Sequence, residues 1–410
     1  MKLRLSFFKG IDIKSMMVLA SGTLLSGFIP LLFEPFFKGK FTPEEYGFFD
    51  LFLKASPILA LFYTFKSEIL IASSKSDKSL FYLKSSLNQT FFTFLLFLII
   101  AVFVNNSTFI YSVFGALFFS IITITTIYFL KKGYTIHTAF QKPIRRLFEL
   151  LFLLFVLNFS IFLSDSLIFS SLLGLMVSSL FMLVRLKKED LIFIFKIDFD
   201  DFFFSNFFKL KGIFLSELLN IISLSFLTFF VFSNYSSQEM GFLELSNKFI
   251  SIPQLVFTSV IGLMIQNRIG ILVSEKISLI LYIKKIISFL IVISILVISF
   301  YYVFIEVIVD SLFDSSWSIS SSFVILLLPH LFFFIIFSPL SRILYGMKAE
   351  RELKKWQFLK SLIILSTAFF YWLDISAYLL MYSVFSSITY ALLIYFLLKA
   401  VKRYEFKIVK

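Results

Sequence analysis

Long apolar runs alternate with short polar segments along the whole chain. Twelve runs of 17 to 24 residues can be placed, at 15–37, 47–65, 88–104, 109–130, 147–163, 166–184, 212–233, 243–266, 286–304, 321–340, 357–373 and 377–398. A membrane-spanning helix needs roughly 20 apolar residues, whereas barrel strands are about 10 residues long and alternate in polarity. In lipid, each helix satisfies its own backbone hydrogen bonds. The pattern predicts an all-α polytopic membrane protein with about 12 transmembrane helices.

Basic residues lie almost entirely in alternate connecting segments. Of the 38 Lys and Arg residues, 34 fall in the seven segments that share a side with the N-terminus, when Lys360, near the start of the eleventh run, is counted with the segment before it. Lys38 and Lys40 fall on the other side, and the remaining two lie inside apolar runs. Cytoplasmic loops of membrane proteins are enriched in Lys and Arg. The asymmetry therefore predicts an even number of helices with both termini in the cytoplasm.

Composition agrees with this assignment and excludes other classes. Hydrophobic residues make up 59% of the chain and charged residues 15%, against roughly 45–50% and 25% in soluble domains. The net charge of +13 is scattered over seven loops, which argues against a nucleic-acid-binding face. The chain has no Cys, so disulfides and thiolate metal sites are excluded. The N-terminus has the order of a signal peptide, but its apolar run is too long, and we interpret it as a retained first span.

The longest polar interruption divides the runs six and six. It covers 185–211 and lies on the predicted cytoplasmic side. Charged residues punctuate its apolar sequence, as expected of an amphipathic helix at the membrane interface. The sequence thus predicts an N-terminal lobe (1–184), a linker (185–211), a C-terminal lobe (212–398) and a basic cytoplasmic tail (399–410). The outer loops are very short, so no extracytoplasmic domain is expected.

A short internal repeat links the two predicted lobes. Shifting the sequence by 194 residues aligns EYGFFDLFLK (45–54) with EMGFLELSNK (239–248), with five identical positions. Both segments lie in runs that cross the membrane in the same direction, so the repeat is parallel. Two similar halves that face each other across a central cavity are predicted.

Two acid–lysine pairs inside this repeat are the main candidate site for substrate binding. Asp50 and Lys54, and likewise Glu244 and Lys248, are four residues apart, which puts both charges on one helix face with the acid first, the favourable order. An uncompensated charge within a span costs at least about 2.5–3.5 kcal/mol. The functional hypothesis is that both lysines face a hydrated cavity and bind an anionic substrate. The alternative is two structural ion pairs, or lysines that extend outward to the headgroups.

Three further residues are candidates for coupling or gating. His330 follows Pro329 near the middle of the tenth run, where a titratable group beside a kink suits proton coupling. The alternative is a neutral imidazole hydrogen-bonded to a neighbouring helix. Glu217 lies early in the seventh run and Glu34 near the outer end of the first. Either glutamate would suit coupling to H⁺ or Na⁺, or an interfacial or packing role.

Motifs for enzymatic chemistry are missing from the sequence. It contains no phosphate-binding loop ending in Lys-Ser/Thr, no His-Glu-x-x-His and no Gly-x-Ser-x-Gly. The longest outer stretch, 306–320, offers only three acidic residues to a membrane glycan polymerase or glycosyltransferase. The sequence therefore predicts a protein that is not an enzyme and that uses no cofactor or metal.

Several stretches resemble a known family of carriers. The segment SGTLLSGFIPLLFEPFFKGKFTPEEYGFFDLF (21–52) is similar to its opening helix, Pro-Glu-Glu-Tyr-Gly turn and second helix. FKSEILIASSK (65–75) resembles the exit of that second helix, and two later segments, 241–265 and 327–358, resemble helices with internal prolines. Together with the predicted topology, these motifs resemble the Wzx-type polysaccharide-biosynthesis flippases. That family belongs to the multidrug/oligosaccharidyl-lipid/polysaccharide exporter superfamily, which includes the multidrug and toxic compound extrusion (MATE) transporters.

The resemblance implies a MATE-like fold and a flippase function. Such a protein moves undecaprenyl-diphosphate-linked oligosaccharides across the cytoplasmic (inner) membrane by alternating access, for O-antigen, lipopolysaccharide or capsule assembly. Its implied partners are membrane lipid, a polysaccharide polymerase and a chain-length regulator. One alternative is a multidrug or organic-cation antiporter of the same superfamily, which intramembrane acids favour and intramembrane lysines disfavour. A membrane glycan polymerase or glycosyltransferase is the other.

Overall fold

The chain is built from α-helices in the computed structural model, which describes residues 13–37, 40–74, 78–158, 165–195, 202–347 and 349–409. No β-strand occurs within these ranges. The helices are α1 (Ile13–Phe37), α2 (Pro43–Thr64), α3 (Glu68–Ser73), α4 (Ser79–Val104), α5 (Ser107–Lys131), α6 (Thr135–Asn158), α7 (Ser166–Val184), α8 (Lys188–Phe195), α9 (Phe202–Asn234), α10 (Ser237–Val256), α11 (Gly262–Ser274), α12 (Ile280–Leu312), α13 (Ile319–Gly346), α14 (Glu350–Ser366) and α15 (Ile375–Val409). A π-helical segment, Phe257–Ile261, joins α10 to α11, and a 3₁₀ segment, Thr367–Phe370, follows α14.

In the described part of the chain, eleven of the twelve predicted spans overlap one α-helix each, in the predicted order. The eighth, 243–266, runs through α10, the π-helical segment and the start of α11. Within the described ranges, eight helical stretches are long and apolar enough to cross a membrane, in α2, α4, α5, α7, α9, α12, α13 and α15. The other four predicted spans lie in α1, α6, α10 with its continuation, and α14. The last three carry several charged residues within the helix, which lowers their mean hydropathy. The all-α, multi-pass architecture predicted from the sequence is confirmed, while the cytoplasmic location of both termini stays a prediction.

The linker contains two helical pieces. The short helix α8 and the first turns of α9 lie within 185–211, and residues 196–201 between them lie outside the described part of the chain. Most of the charges that suggested an amphipathic linker helix, including Asp198, Asp200 and Asp201, fall in that segment.

The helices form two compact units. The N-terminal unit contains Met17–Phe33 and Glu44–Phe229, and the C-terminal unit contains Glu34–Pro43 and Phe230–Lys410. Most of α9, which the sequence analysis places in the C-terminal lobe, thus groups with α2 to α8. The predicted lobe boundaries stay a prediction.

Close helix contacts in both units depend on glycine. In the N-terminal unit, a Cβ atom added at Gly22 would overlap the backbone carbonyl of Ala139. In the C-terminal unit, a Cβ added at Gly241 would overlap the carbonyl of Pro43. Apolar burial is weak as a driving force between helices in lipid, so close backbone approach through small residues is a common way to pack them. These two contacts hold the helices that carry the candidate residues close to their neighbours.

Candidate functional site

The first acid–lysine pair forms within the N-terminal unit as predicted from its spacing. Asp50 has no solvent exposure, and its Oδ1 lies 3.6 Å from the Lys54 Nζ. Its Oδ2 accepts a hydrogen bond of 2.7 Å from the Thr228 hydroxyl on α9. The Lys54 side chain stays 32% exposed. The acid is therefore fixed inside the helix bundle while its lysine partner reaches toward the surface of the unit.

The second pair has the same place on its own helix. Asp50 is the eighth residue of α2 and Glu244 the eighth of α10. Helix α10 begins with a capping box, in which the Ser236 side chain and the Glu239 side chain each bond the other's backbone N–H. Glu244 is 5% exposed, and Lys248, one turn later, is half-buried. In each unit a buried carboxylate thus precedes a partly exposed ammonium group by one helical turn.

This arrangement suits reversible anion binding. In each unit a buried carboxylate lies one helical turn before a lysine that is partly exposed, and an ammonium group can donate to more than one acceptor.

A second charged cluster was not predicted from the sequence. The chain between α2 and α3 passes through Phe65 and Lys66, which both have positive φ angles (46° and 62°), a conformation that costs energy for residues with side chains. The Lys66 Nζ lies 3.5 Å from Glu68 Oε1 and 3.6 Å from Glu217 Oε1. Glu68 is 2% exposed, and its Oε2 has no hydrogen-bond partner in the described part of the chain.

The cluster changes the interpretation of Glu217. Glu217 lies beside Lys66, just after the end of α2. It is not a member of the Asp50–Lys54 pair. The Glu217 side chain is 36% exposed, so an ion pair there contributes little to stability. No sequence signal points to this cluster, because the positions with positive φ carry Phe and Lys and not Gly.

His330 lies inside the C-terminal unit, and each of its nitrogens has a partner. The His330 backbone N–H, directly after Pro329, donates to the Ser383 hydroxyl on α15 (2.9 Å). On the ring, Nδ1 lies 2.7 Å from Ser386 Oγ, and Nε2 lies 3.2 Å from the Gln254 amide nitrogen. An amide nitrogen only donates, so Nε2 accepts and the ring proton lies on Nδ1. These contacts fit a neutral imidazole hydrogen-bonded to neighbouring helices, and a role of His330 in proton coupling stays a prediction.

Two further charged residues, Glu34 and Lys360, lie on predicted spans. Glu34 lies on α1, but its side chain is outside the described part of the structure. Lys360, counted with a cytoplasmic loop in the sequence, lies on α14 and is 8% exposed. Its Nζ is 5.7 Å from the Trp356 ring centroid and 5.6 Å from that of Tyr390. Across the described ranges, no group of three or more His, Asp or Glu side chains is placed to hold a metal ion.

Comparisons with solved structures show which known fold the chain resembles. No protein-family model and no curated protein matches the sequence. Among solved structures, the chain is similar to a multidrug resistance MATE family transporter of the MOP superfamily in an inward-facing conformation. The TM-score is 0.68 at 13% identity, covering 98% of this chain and 97% of that one. The lipid II flippase MurJ, in an inward closed conformation, gives a TM-score of 0.66 at 15% identity, covering 97% and 91%.

A third similar structure is a MOP superfamily transporter from Pyrococcus furiosus. It has a TM-score of 0.61 at 12% identity, covering 97% of this chain and 98% of that one, and is described as having a binding pocket of reverse polarity that suggests a different function. These likenesses extend over nearly the whole chain. The protein thus has the MATE-like, multi-pass membrane fold that the MOP superfamily transporters share.

Proposed function

We propose that the protein is a flippase that carries an undecaprenyl-diphosphate-linked oligosaccharide across the cytoplasmic membrane for the assembly of a surface polysaccharide. The fold supports a transporter, and a lipid-linked flippase is among the proteins that share it. The sequence motifs that resemble the Wzx-type flippases support the oligosaccharide as cargo. Translocation would proceed by alternating access.

The observation that carries the proposal is the acid–lysine pair that recurs at the same helical position in both units. A diphosphate carries two or more negative charges and many acceptor oxygens, and ammonium groups are common ligands of phosphate. Lys54 is one-third exposed and Lys248 half-buried, so both retain a face for a ligand. Their carboxylate partners, Asp50 and Glu244, would hold the ammonium groups in place when no substrate is bound.

The proposal is tested by reconstitution into proteoliposomes with a labelled undecaprenyl-diphosphate oligosaccharide, scoring its appearance in the opposite leaflet. We expect Lys54→Gln/Lys248→Gln to slow flipping at least tenfold. The matched control is Lys284→Gln/Lys285→Gln, which removes the same charge from exposed positions on α12 and should flip like the wild type. Flipping by wild type and double variant at equal rates would remove the lysines from the mechanism and leave the function standing.

An organic-cation antiporter is the second candidate function. Its support is the deep burial of the two acids, Asp50 at 0% and Glu244 at 5% exposure, together with the likeness to a multidrug transporter. In that case the acids would bind the cargo and the lysines would take their place when it leaves. Wild-type proteoliposomes that extrude a fluorescent organic cation under a proton gradient, with loss in Glu244→Gln and no lipid flipping, would favour this function.

A further inference from the structure

Thr228 directs its side-chain hydroxyl away from its own helix. Ser and Thr residues inside a helix can donate to the carbonyl three or four residues earlier, as Ser223 on α9 does to Asn220 at 2.8 Å. Thr228 instead donates to Asp50 Oδ2 on α2, at 2.7 Å. A hydroxyl has one proton to donate, and a carboxylate only accepts. The bond across to α2 therefore uses the single side-chain donor that Thr228 has.

This hydrogen bond is closed off from solvent. Thr228 is 1% exposed and Asp50 0%, and both residues lie in the N-terminal unit. Within the described part of the chain, Thr228 is the one residue that donates a hydrogen bond to the Asp50 side chain. Hydrogen bonds to an ionised group are stronger than those between neutral groups. The hydroxyl therefore provides the main direct support of this buried charge.

The ion pair between Asp50 and Lys54 is looser. The Lys54 Nζ lies 3.6 Å from Oδ1, whereas a direct hydrogen bond between ammonium and carboxylate is about 2.7–2.9 Å long. Oδ1 is buried, and among the described residues it has no hydrogen-bond partner. The Lys54 side chain is 32% exposed. The carboxylate is thus held by Thr228 on one oxygen and attracts Lys54 through the other without a direct hydrogen bond.

Removal of the hydroxyl would shift this balance toward the lysine. A buried carboxylate without a hydrogen bond is costly. The Lys54 ammonium group lies one helical turn away, and a small movement would bring it into direct contact with Asp50. An anionic ligand would then have to break a direct, charge-assisted bond to reach the lysine. While Thr228 donates, the same ligand meets a loosely paired ammonium group.

We propose that Thr228 is a positioning residue, which keeps the Lys54 ammonium group available to an anionic ligand by satisfying Asp50 through its other carboxylate oxygen. The consequence for transport rests on the proposed function, in which Lys54 binds the diphosphate of the cargo. The effect on Lys54 itself does not depend on what the protein transports.

The first test measures how fast the Lys54 amine reacts in the purified, full-length protein in detergent. A limiting amount of an amine-reactive ester is added, and labelled peptides are quantified by mass spectrometry, with the exposed Lys284 and Lys285 as internal references. We expect Lys54 to be labelled several-fold more slowly in Thr228→Val than in the wild type, and at the wild-type rate in Thr228→Ser. Ser223→Ala, which removes a buried hydroxyl from the same helix, should behave like the wild type.

Asp50 provides a readout that a purely structural role of Thr228 would not produce. In Asp50→Asn no carboxylate charge attracts the lysine, so the addition of Thr228→Val should leave the labelling of Lys54 unchanged. A general loosening of the helix packing would alter labelling in both backgrounds alike. If Thr228→Val does not fold, Thr228→Cys takes its place, because a thiol is only a weak donor.

A ligand separates this inference from the proposed function. Inorganic pyrophosphate should protect Lys54 from labelling in the wild type, with a half-protecting concentration that is several-fold higher in Thr228→Val. Slower labelling of Thr228→Val without protection in any variant would support the positioning role and count against the diphosphate cargo. Equal labelling rates of Lys54 in the wild type and Thr228→Val, or equal slowing in the Asp50→Asn background, would overturn the positioning role.

Discussion

The Asp50–Lys54 pair should respond very differently to the loss of its acid and the loss of its base. At 3.6 Å, an effective dielectric constant of about 20 gives a gross attraction of about 4–5 kcal/mol. Desolvation of the carboxylate, which has no exposure, offsets much of this. Lys54→Gln leaves that carboxylate buried with one hydrogen bond, from Thr228, and removing one partner of a buried pair costs about 3–5 kcal/mol.

Asp50→Asn leaves a lysine that is one-third exposed and can extend toward water or headgroups. The asparagine oxygen can still accept the Thr228 hydrogen bond, so we expect a loss of about 1 kcal/mol. The double variant Asp50→Asn/Lys54→Gln removes both charges and should be more stable than Lys54→Gln alone.

The assay measures the unfolding of the wild type, the two single variants and the double variant in detergent. The changes in the free energy of unfolding are analysed as a double-mutant cycle. We expect a coupling energy of about 1–3 kcal/mol. Single variants that lose equal stability, with a coupling energy near zero, would refute this account of the pair. The double variant also separates an effect on function from an effect on folding. It is expected to fold, yet it lacks the Lys54 ammonium group, so slower flipping by this variant would be due to the missing charge.

Three further predictions follow from single contacts. Gly241→Ala places a Cβ against a backbone carbonyl and should sharply reduce the yield of folded protein. The control Gly212→Ala has open space around it and should be neutral or slightly stabilising. Size-exclusion chromatography compares the yield of monodisperse protein from the two variants. Ser383→Ala leaves the His330 N–H without its acceptor and should lower the free energy of unfolding by about 1–3 kcal/mol, and no change in the unfolding midpoint would contradict this. Glu217→Gln removes the acid of an ion pair whose side chain is 36% exposed, and should lower the free energy of unfolding by less than about 1 kcal/mol. A loss of more than about 2 kcal/mol would contradict the weak contribution expected of an exposed pair.

The fold was readily predicted because span length is set by the bilayer. Runs of about 20 apolar residues recur twelve times, and within the described ranges eleven of them overlap one α-helix each. Helix ends were predicted less well. Helix α4 begins at Ser79, nine residues before the predicted span at 88. The apolar pattern missed its first turns because they contain buried polar residues such as Lys84 (3% exposed) and Ser86 (0%). Hydropathy cannot distinguish a polar residue buried in protein from one in water.

The candidate site was predictable only where it depends on local spacing. The Asp50–Lys54 contact follows from the i, i+4 geometry of one helix. Its third member, Thr228, comes from α9, 178 residues away, and no sequence pattern points to it. Lys360 was assigned to a loop because α14 begins with many charges, and its burial depends on how that helix packs against α15.

The central claim is tested most directly by wild-type protein alone, reconstituted with a fluorescent undecaprenyl-diphosphate oligosaccharide in one leaflet and probed with an impermeant quencher. The account predicts protein-dependent transfer to the other leaflet well above the rate in empty liposomes. It also predicts competition by an unlabelled diphosphate-linked glycan and none by organic cations. No transfer above empty liposomes, together with extrusion of an organic cation under a proton gradient, would contradict it.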